Sequence, residues 1–195
     1  LIKLISDNPL QEVLPKGFMA VSTNKRDIGW RKDKPSTIYY VEALDKGNPE
    51  IKVPYRDALY EWDAPFVQKS ILLTKTINRY AGIIWGNDFN AIIYDRWWNS
   101  RNSKTYIFSP SKPNIPARVI VDRNYQDRYS DPGDFVTRKG KYGENILALD
   151  GNNAFLLGDG FSEKGQFPFL DQINLKSNKK NRTYQSTYTD KFEQL

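Results

Sequence analysis

The side chains able to do chemistry in this sequence are carboxylates, arginines, lysines, tyrosines and serines, because the chain has no His and no Cys. That excludes Ser-His-Asp and Cys-His relays, imidazole and thiolate metal sites, and disulfides. A carboxylate-based glycosidase would need two acids roughly 5–10 Å apart, and Glu42, Glu61, Asp88 and Asp95 are the candidates. Trp97-Trp98 beside Arg96 and Arg101 could stack a nucleobase or a sugar. Neighbours on a strand face opposite sides, however, which puts one Trp between sheets and the other on a surface. Asp122, Asp127, Asp131 and Asp134 could suggest a cation loop. Their spacing is not that of an EF-hand, and Pro132-Gly133 explains the turn without metal, so no metal ligands are assigned.

The basic run from Lys176 to Arg182 could meet phosphates or an acidic partner domain, or it could guard a sheet edge. Net charge is only +6 and the cations are spread along the chain, so no nucleic-acid partner is expected. Asn181-Arg-Thr183 forms an N-glycosylation sequon. No Gly-x-Ser-x-Gly elbow is present: Gly160-Phe-Ser-Glu-Lys-Gly165 has one residue too many after Ser162. No cofactor is expected. Apolar runs such as Ile71-Leu72-Leu73 are far too short to span a membrane.

The elements that would hold these groups are strands. Ala and Glu are scarce, while Asp, Asn and aromatic residues are plentiful, the last at 14%. Strands are expected at 36–43, 67–76, 80–85, 90–98, 104–109 and 117–122, then at 135–138, 145–149, 154–157, 167–175 and 182–186, with Asn/Asp/Gly/Pro turns between them. No sustained 3.6-residue stripe supports a long helix. A repeat is visible: Trp30, Asp33 and Ile38-Tyr39-Tyr40 recur as Trp85, Asp88 and Ile92-Ile93-Tyr94 at a spacing of about 55 residues. Such a unit matches one four-stranded propeller blade. Trp30 and Trp85 are therefore both expected in the core between blades. The fold expected over 1–195 is all-β: part of one β-propeller domain with three four-stranded antiparallel blades at 17–76, 80–123 and 133–187. Three blades do not close a ring of roughly four to eight, so the chain is expected to be a piece of a longer protein.

Several strings resemble the propeller of the prolyl-oligopeptidase (S9) family of serine peptidases, in its glutamyl endopeptidase-like branch found in plastids and many bacteria. They are Pro15-Lys-Gly-Phe-Met-Ala-Val-Ser22, Asp27-Ile-Gly-Trp-Arg-Lys-Asp33 running on to Asp45, Pro54-Tyr-Arg-Asp57, Asn78-Arg-Tyr-Ala-Gly82 with Trp85, Asp122-Arg123 with Tyr129-Ser-Asp-Pro-Gly133, and Gln166-Phe-Pro-Phe-Leu-Asp171 with Asn174. The resemblance covers nearly the whole chain. It implies a peptide substrate and, as partners outside this chain, an α/β-hydrolase domain with a Ser-Asp-His triad and the remaining blades. It assigns no catalytic residue here. A bacterial periplasmic or cell-surface location would follow from related exported proteins.

In such a peptidase, a cation facing the tunnel would bind a glutamyl side chain, because Arg grips carboxylates bidentately. Arg31 and Arg79 lie within the matching strings and are the candidate substrate-binding residues; the structural alternative makes them ion-paired supports. The alternative function is a stand-alone propeller-type module that binds a peptide or glycan.

Overall fold

The computed structural model describes residues 3–191 and 193–195. Strands dominate, and the helical content of the described residues is a single 3-10 turn at Gln11–Val13. The first sheet is an antiparallel meander of β1 (Arg26–Trp30), β2 (Thr37–Ala43), β3 (Asp57–Asp63) and β4 (Ile71–Thr76). The second repeats that order with β5 (Arg79–Asn87), β6 (Asn90–Trp97), β7 (Asn102–Phe108) and β8 (Arg118–Asn124). The chain is all-β, with four-stranded antiparallel sheets as its unit.

The third region departs from a simple meander. It contains β9 (Asp134–Phe135), β10 (Thr137–Lys139), β11 (Asn145–Leu147), β12 (Leu149–Asp150), β13 (Asn153–Gly158), β14 (Phe161–Ser162), β15 (Gly165–Gln166), β16 (Phe169–Asn174) and β17 (Lys180–Gln185). The strands expected at 135–138 and 145–149 are each broken at one residue, Val136 and Ala148. There the backbone changes partner: Val136 N–H donates to Phe155 O and Ala148 N–H to Val136 O. As a result, β9 and β12 share one edge of β13, and the sheet has five strands rather than four. Gly133, at φ +83°, lets this segment turn onto β13, where a Cβ would lie 2.5 Å from Leu157 O. The β10–β11 and β14–β15 pairs form separate hairpins. The strand expected from Val67 starts only at Ile71.

Strand alternation explains how the sheets stack. On β6, Ile93 points into a core with Val41, Leu59 and Leu73 of the first sheet, together with Trp85, Tyr106 and Phe108. Its neighbour Ile92 points the other way, into a core with Ile107, Leu147, Leu156 and Ile173. The second sheet is thus buried on both faces, with the first and third sheets as its covers.

The two tryptophans of the repeat have different fates. Trp85 is 1% exposed, whereas Trp30 is 60% exposed, so the expectation of a core position for Trp30 is corrected. Register gives the reason. Trp85 pairs with Ala91 on the face that the first sheet covers. Trp30 pairs with Ile38 on the corresponding face of the first sheet, where Tyr40, Tyr60 and Trp62 also lie, and over which the described residues place no sheet. Phe66 and Lys3 cover part of that face, with ring centroids 6.4 Å apart for Trp30–Phe66 and the Lys3 ammonium 5.4 Å from the Trp62 ring.

This packing predicts unequal costs for truncation. Ile93→Ala should destabilise the chain by about 2–5 kcal/mol, the range for emptying a packed core site. Trp30→Ala should cost less than about 1 kcal/mol. Urea unfolding followed by circular dichroism checks both, and equal costs would contradict the stacking described.

Candidate functional site

The seam between the first two sheets carries charge at both ends of its apolar stripe. On β3, Asp57, Leu59 and Glu61 alternate onto the same face, so two acids flank a core leucine. Buried acids require partners, because an unpaired charge in an apolar seam is costly. Arginines supply them.

At one end lies Arg31, only 4% exposed. Its Nη1 donates to Glu61 Oε2 at 2.5 Å, while Nε and Nη2 donate to the two oxygens of Asp33 at 3.1 and 2.6 Å. The guanidinium carbon is 4.5 Å from the Trp85 ring centroid, which joins the cation to the second sheet. Asp88 approaches to 3.7 Å. Burial pulls the Arg31 pKa down, but Asp33 and Glu61 more than offset it, and the net direction is upward.

At the other end lies Arg79, 3% exposed. Nη1 donates to Asp45 Oδ1 at 2.8 Å and to Asp57 Oδ1 at 3.1 Å, and Nε donates to the Met19 carbonyl at 2.9 Å. Nη2 is 2.8 Å from Asp45 Oδ2 but off the angle of a hydrogen bond. Asp57 Oδ2 also accepts from Tyr80 N–H and meets Arg26 Nη2 at 2.5 Å, while Asp45 Oδ2 meets Arg56 Nη1 at 2.8 Å. Two acids of the first sheet region thus gather three arginines, one of them from β5. Arg31 and Arg79 are therefore not brought together in one open site. Each is enclosed with carboxylates of its own chain, which is the geometry of the structural alternative.

The four candidate acids are likewise engaged. Asp95 is fully buried and accepts from Tyr106 Oη at 2.5 Å, from both Asn78 N–H and Asn78 Nδ2, and from Lys104 N–H. Burial pushes its carboxyl up against the pull of these donors, and burial with the nearby Asp95 pushes the Tyr106 phenol up. Glu61 serves Arg31, Glu42 sits near Lys25 at 3.8 Å, and Asp88 is exposed beside Arg31. Among the described residues no group of three or more acids could hold a metal ion. Asp122 pairs with Lys104 and Asn102, Asp131 with Arg123, and Asp127 accepts from Tyr129 N–H. In the basic run, Lys180 and Arg182 meet Asp171. Trp97 lies under Arg56, with the guanidinium carbon 3.8 Å from the ring, and Trp98 lies under Arg101 at 3.7 Å. An apolar cavity of about 420 Å³ opens at the rim beside β4, lined by Leu72, Tyr106, Pro113, Pro116 and Val119 among others. Among the described residues, no helix is long and apolar enough to cross a membrane.

Sequence reasoning missed Asp45 and Asp57 as partners of Arg79. The available signal was the strand Asp57-Ala-Leu-Tyr-Glu-Trp, in which the acids share the parity of Leu59.

Sheets stacked face to face and pinned by enclosed ion pairs define an all-β module. Over 95% of its length it is 35% identical to a protein of Oryza sativa subsp. japonica named "Probable glutamyl endopeptidase, chloroplastic". Over 98% it is 32% identical to the Arabidopsis thaliana protein of the same name. The chain spans only about a fifth of these relatives, 20% and 21%. Both are plant proteins and lend no support to the bacterial source that the resemblance implied. No family model matches the chain. A solved structure of an oligogalacturonate lyase in complex with manganese aligns at a TM-score of 0.42 and 16% identity, covering 85% of this chain and 38% of that one. A likeness of that size carries no argument for fold or function.

Two outcomes are expected. Asp57→Asn should destabilise the chain by about 3–5 kcal/mol, since it leaves buried arginines short of a partner. Thermal melts compare it with Asp131→Asn on the surface, which should shift little. The second concerns acid. A hydrogen bond from the Lys104 ammonium, helped by Asn102, holds the Asp122 carboxyl below its ordinary value. A lowered carboxylate contributes stability that is present above its unfolded pKa and lost as pH falls through its folded one. The small stability gap between the wild type and Asp122→Asn should therefore be constant near neutrality and close below about pH 4. A gap that widened in acid would contradict the pairing.

Proposed function

We propose that this chain is a non-catalytic β-propeller region of a prolyl-oligopeptidase-like serine peptidase. Its role is steric: it admits short or unfolded peptides, guides them, and keeps folded proteins from a triad carried by a hydrolase domain outside these residues. The observation that carries the reading is the 35% identity, over 95% of the chain, to a protein named as a probable glutamyl endopeptidase. Two features support it. The sequence lacks His, so a Ser-Asp-His triad would have to lie elsewhere in the polypeptide. The face of the first sheet around Trp30 repeats the aromatic make-up of the face that carries Trp85, which is covered by a neighbouring sheet. A further blade seated on Trp30 would extend the stack in the same sense. Arg31 and Arg79, enclosed as they are, serve this reading as pins between blades; contact with a substrate glutamate would require their ion pairs to open.

The test compares this chain with the longer polypeptide on a glutamate-containing peptide. The chain alone should give no turnover, and the longer polypeptide should cleave. Turnover by the isolated chain would overturn the proposal. The same pair tests the blade arrangement, because Trp30→Ala should cost about 3–5 kcal/mol in the longer polypeptide, where that ring would be buried.

A further inference from the structure

At the end of the second sheet where β6 turns into β7, arginines lie over aromatic rings. The Arg96 guanidinium carbon is 4.5 Å from the Tyr125 ring centroid, and that of Arg101 is 3.7 Å from Trp98. Arg101 Nη1 donates to Tyr125 Oη at 3.4 Å, and Tyr125 N–H donates to the Arg101 carbonyl at 2.9 Å. Two cations thus flank one tyrosine. In the segment after β8 that also carries Tyr125, the Arg128 guanidinium carbon lies 3.7 Å over Phe161.

The other cations around this end are neutralised. Arg56 is paired with Asp45, Lys104 with Asp122 and Arg123 with Asp131. Among the described residues, Arg96, Arg101 and Arg128 enter no ion pair; the exposed Asp127 beside Arg128 has its carboxylate turned to Tyr129 N–H. A guanidinium held over a ring still has N–H donors for a carboxylate; of the three, Arg101 spends Nη1 on the Tyr125 hydroxyl and keeps its other donors. Because the side chain is held by the ring, less rotamer freedom is lost when an anion arrives.

We propose that this surface docks an acidic polypeptide segment, whose side-chain carboxylates meet the guanidinium groups of Arg96, Arg101 and Arg128, which have no carboxylate partner among the described residues. The alternative of single-stranded nucleic acid fits less well. Base stacking needs open ring faces, and here cations already lie on Trp97, Trp98 and Tyr125, with Phe18 a further 4.4 Å neighbour of Trp98. The inference concerns binding alone and does not depend on the peptidase reading.

The experiment is fluorescence anisotropy on the full chain with a labelled oligoglutamate peptide, and with oligolysine and oligothymidylate as comparisons. Oligoglutamate should bind at low salt and weaken as salt rises, and oligolysine should not bind. Arg96→Gln with Arg101→Gln should weaken oligoglutamate binding about tenfold, with the unfolding midpoint unchanged. Should that double variant unfold, Arg128→Gln, on an exposed loop, carries the same test with a loss of about threefold. Unchanged affinity in a folded variant, or tighter binding of oligothymidylate than of oligoglutamate, would overturn the proposal.

Discussion

The arrangement depends on the two acids that β3 turns inward. Asp57 and Glu61 occupy core-facing positions on either side of Leu59, and the seam between the first two sheets tolerates them only because Arg79 and Arg31 arrive from outside the strand. Removing charges from water costs several kcal/mol each, so these pairs are weak sources of net stability. They are strong sources of register. A sheet displaced by one residue along the seam would bury an acid against leucine and leave an arginine without a partner. The apolar stripe between the pairs sets how strongly the sheets adhere; the pairs set where.

The same division explains why the residues first singled out are enclosed rather than open. Arg31, Arg79 and Asp95 are surrounded by carboxylates and hydrogen-bond donors of the chain itself, and only Arg79 Nη2 among their polar atoms lacks an aligned partner. At the end of the second sheet, by contrast, Arg96 and Arg101 lie over Tyr125 and Trp98 with no carboxylate partner among the described residues. A rigid stack of strands presenting variable loops is a common basis for recognition in β proteins.

Much of the fold was legible in the sequence because strand alternation and turn residues are local signals. β2, β5, β6 and β7 follow from runs such as Ile38-Tyr39-Tyr40 and Ile92-Ile93-Tyr94, and the repeat marked two four-stranded units, but β1 and β3 of the first sheet were not among the runs picked out. What was not legible depends on partners distant in sequence. Val136 and Ala148 look like ordinary strand residues, and only the competing edge of β13 breaks their strands. Trp30 has the sequence surroundings of Trp85, but its burial is decided by whether something lies across the sheet. Arg31 and Arg79 were found by motif, while their enclosure depends on Asp33, Asp45, Asp57 and Glu61, which no spacing rule joins to them. The Arg96–Tyr125–Arg101 group was half visible, since the two arginines flank Trp97-Trp98, but Tyr125 reaches them only through the hairpin.

The doubly covered second sheet also bears on how such a chain emerges during synthesis. Each of the first two sheets is a run of adjacent hairpins and can form from consecutive residues as they leave the ribosome. The first is complete by Thr76, but its front face stays wet until β5 to β7 are made, and the second must then wait for Leu147 and Ile173 before its own far face is dry. A chain made in this order would show an apolar sheet face at its growing tip until the next sheet arrives to cover it.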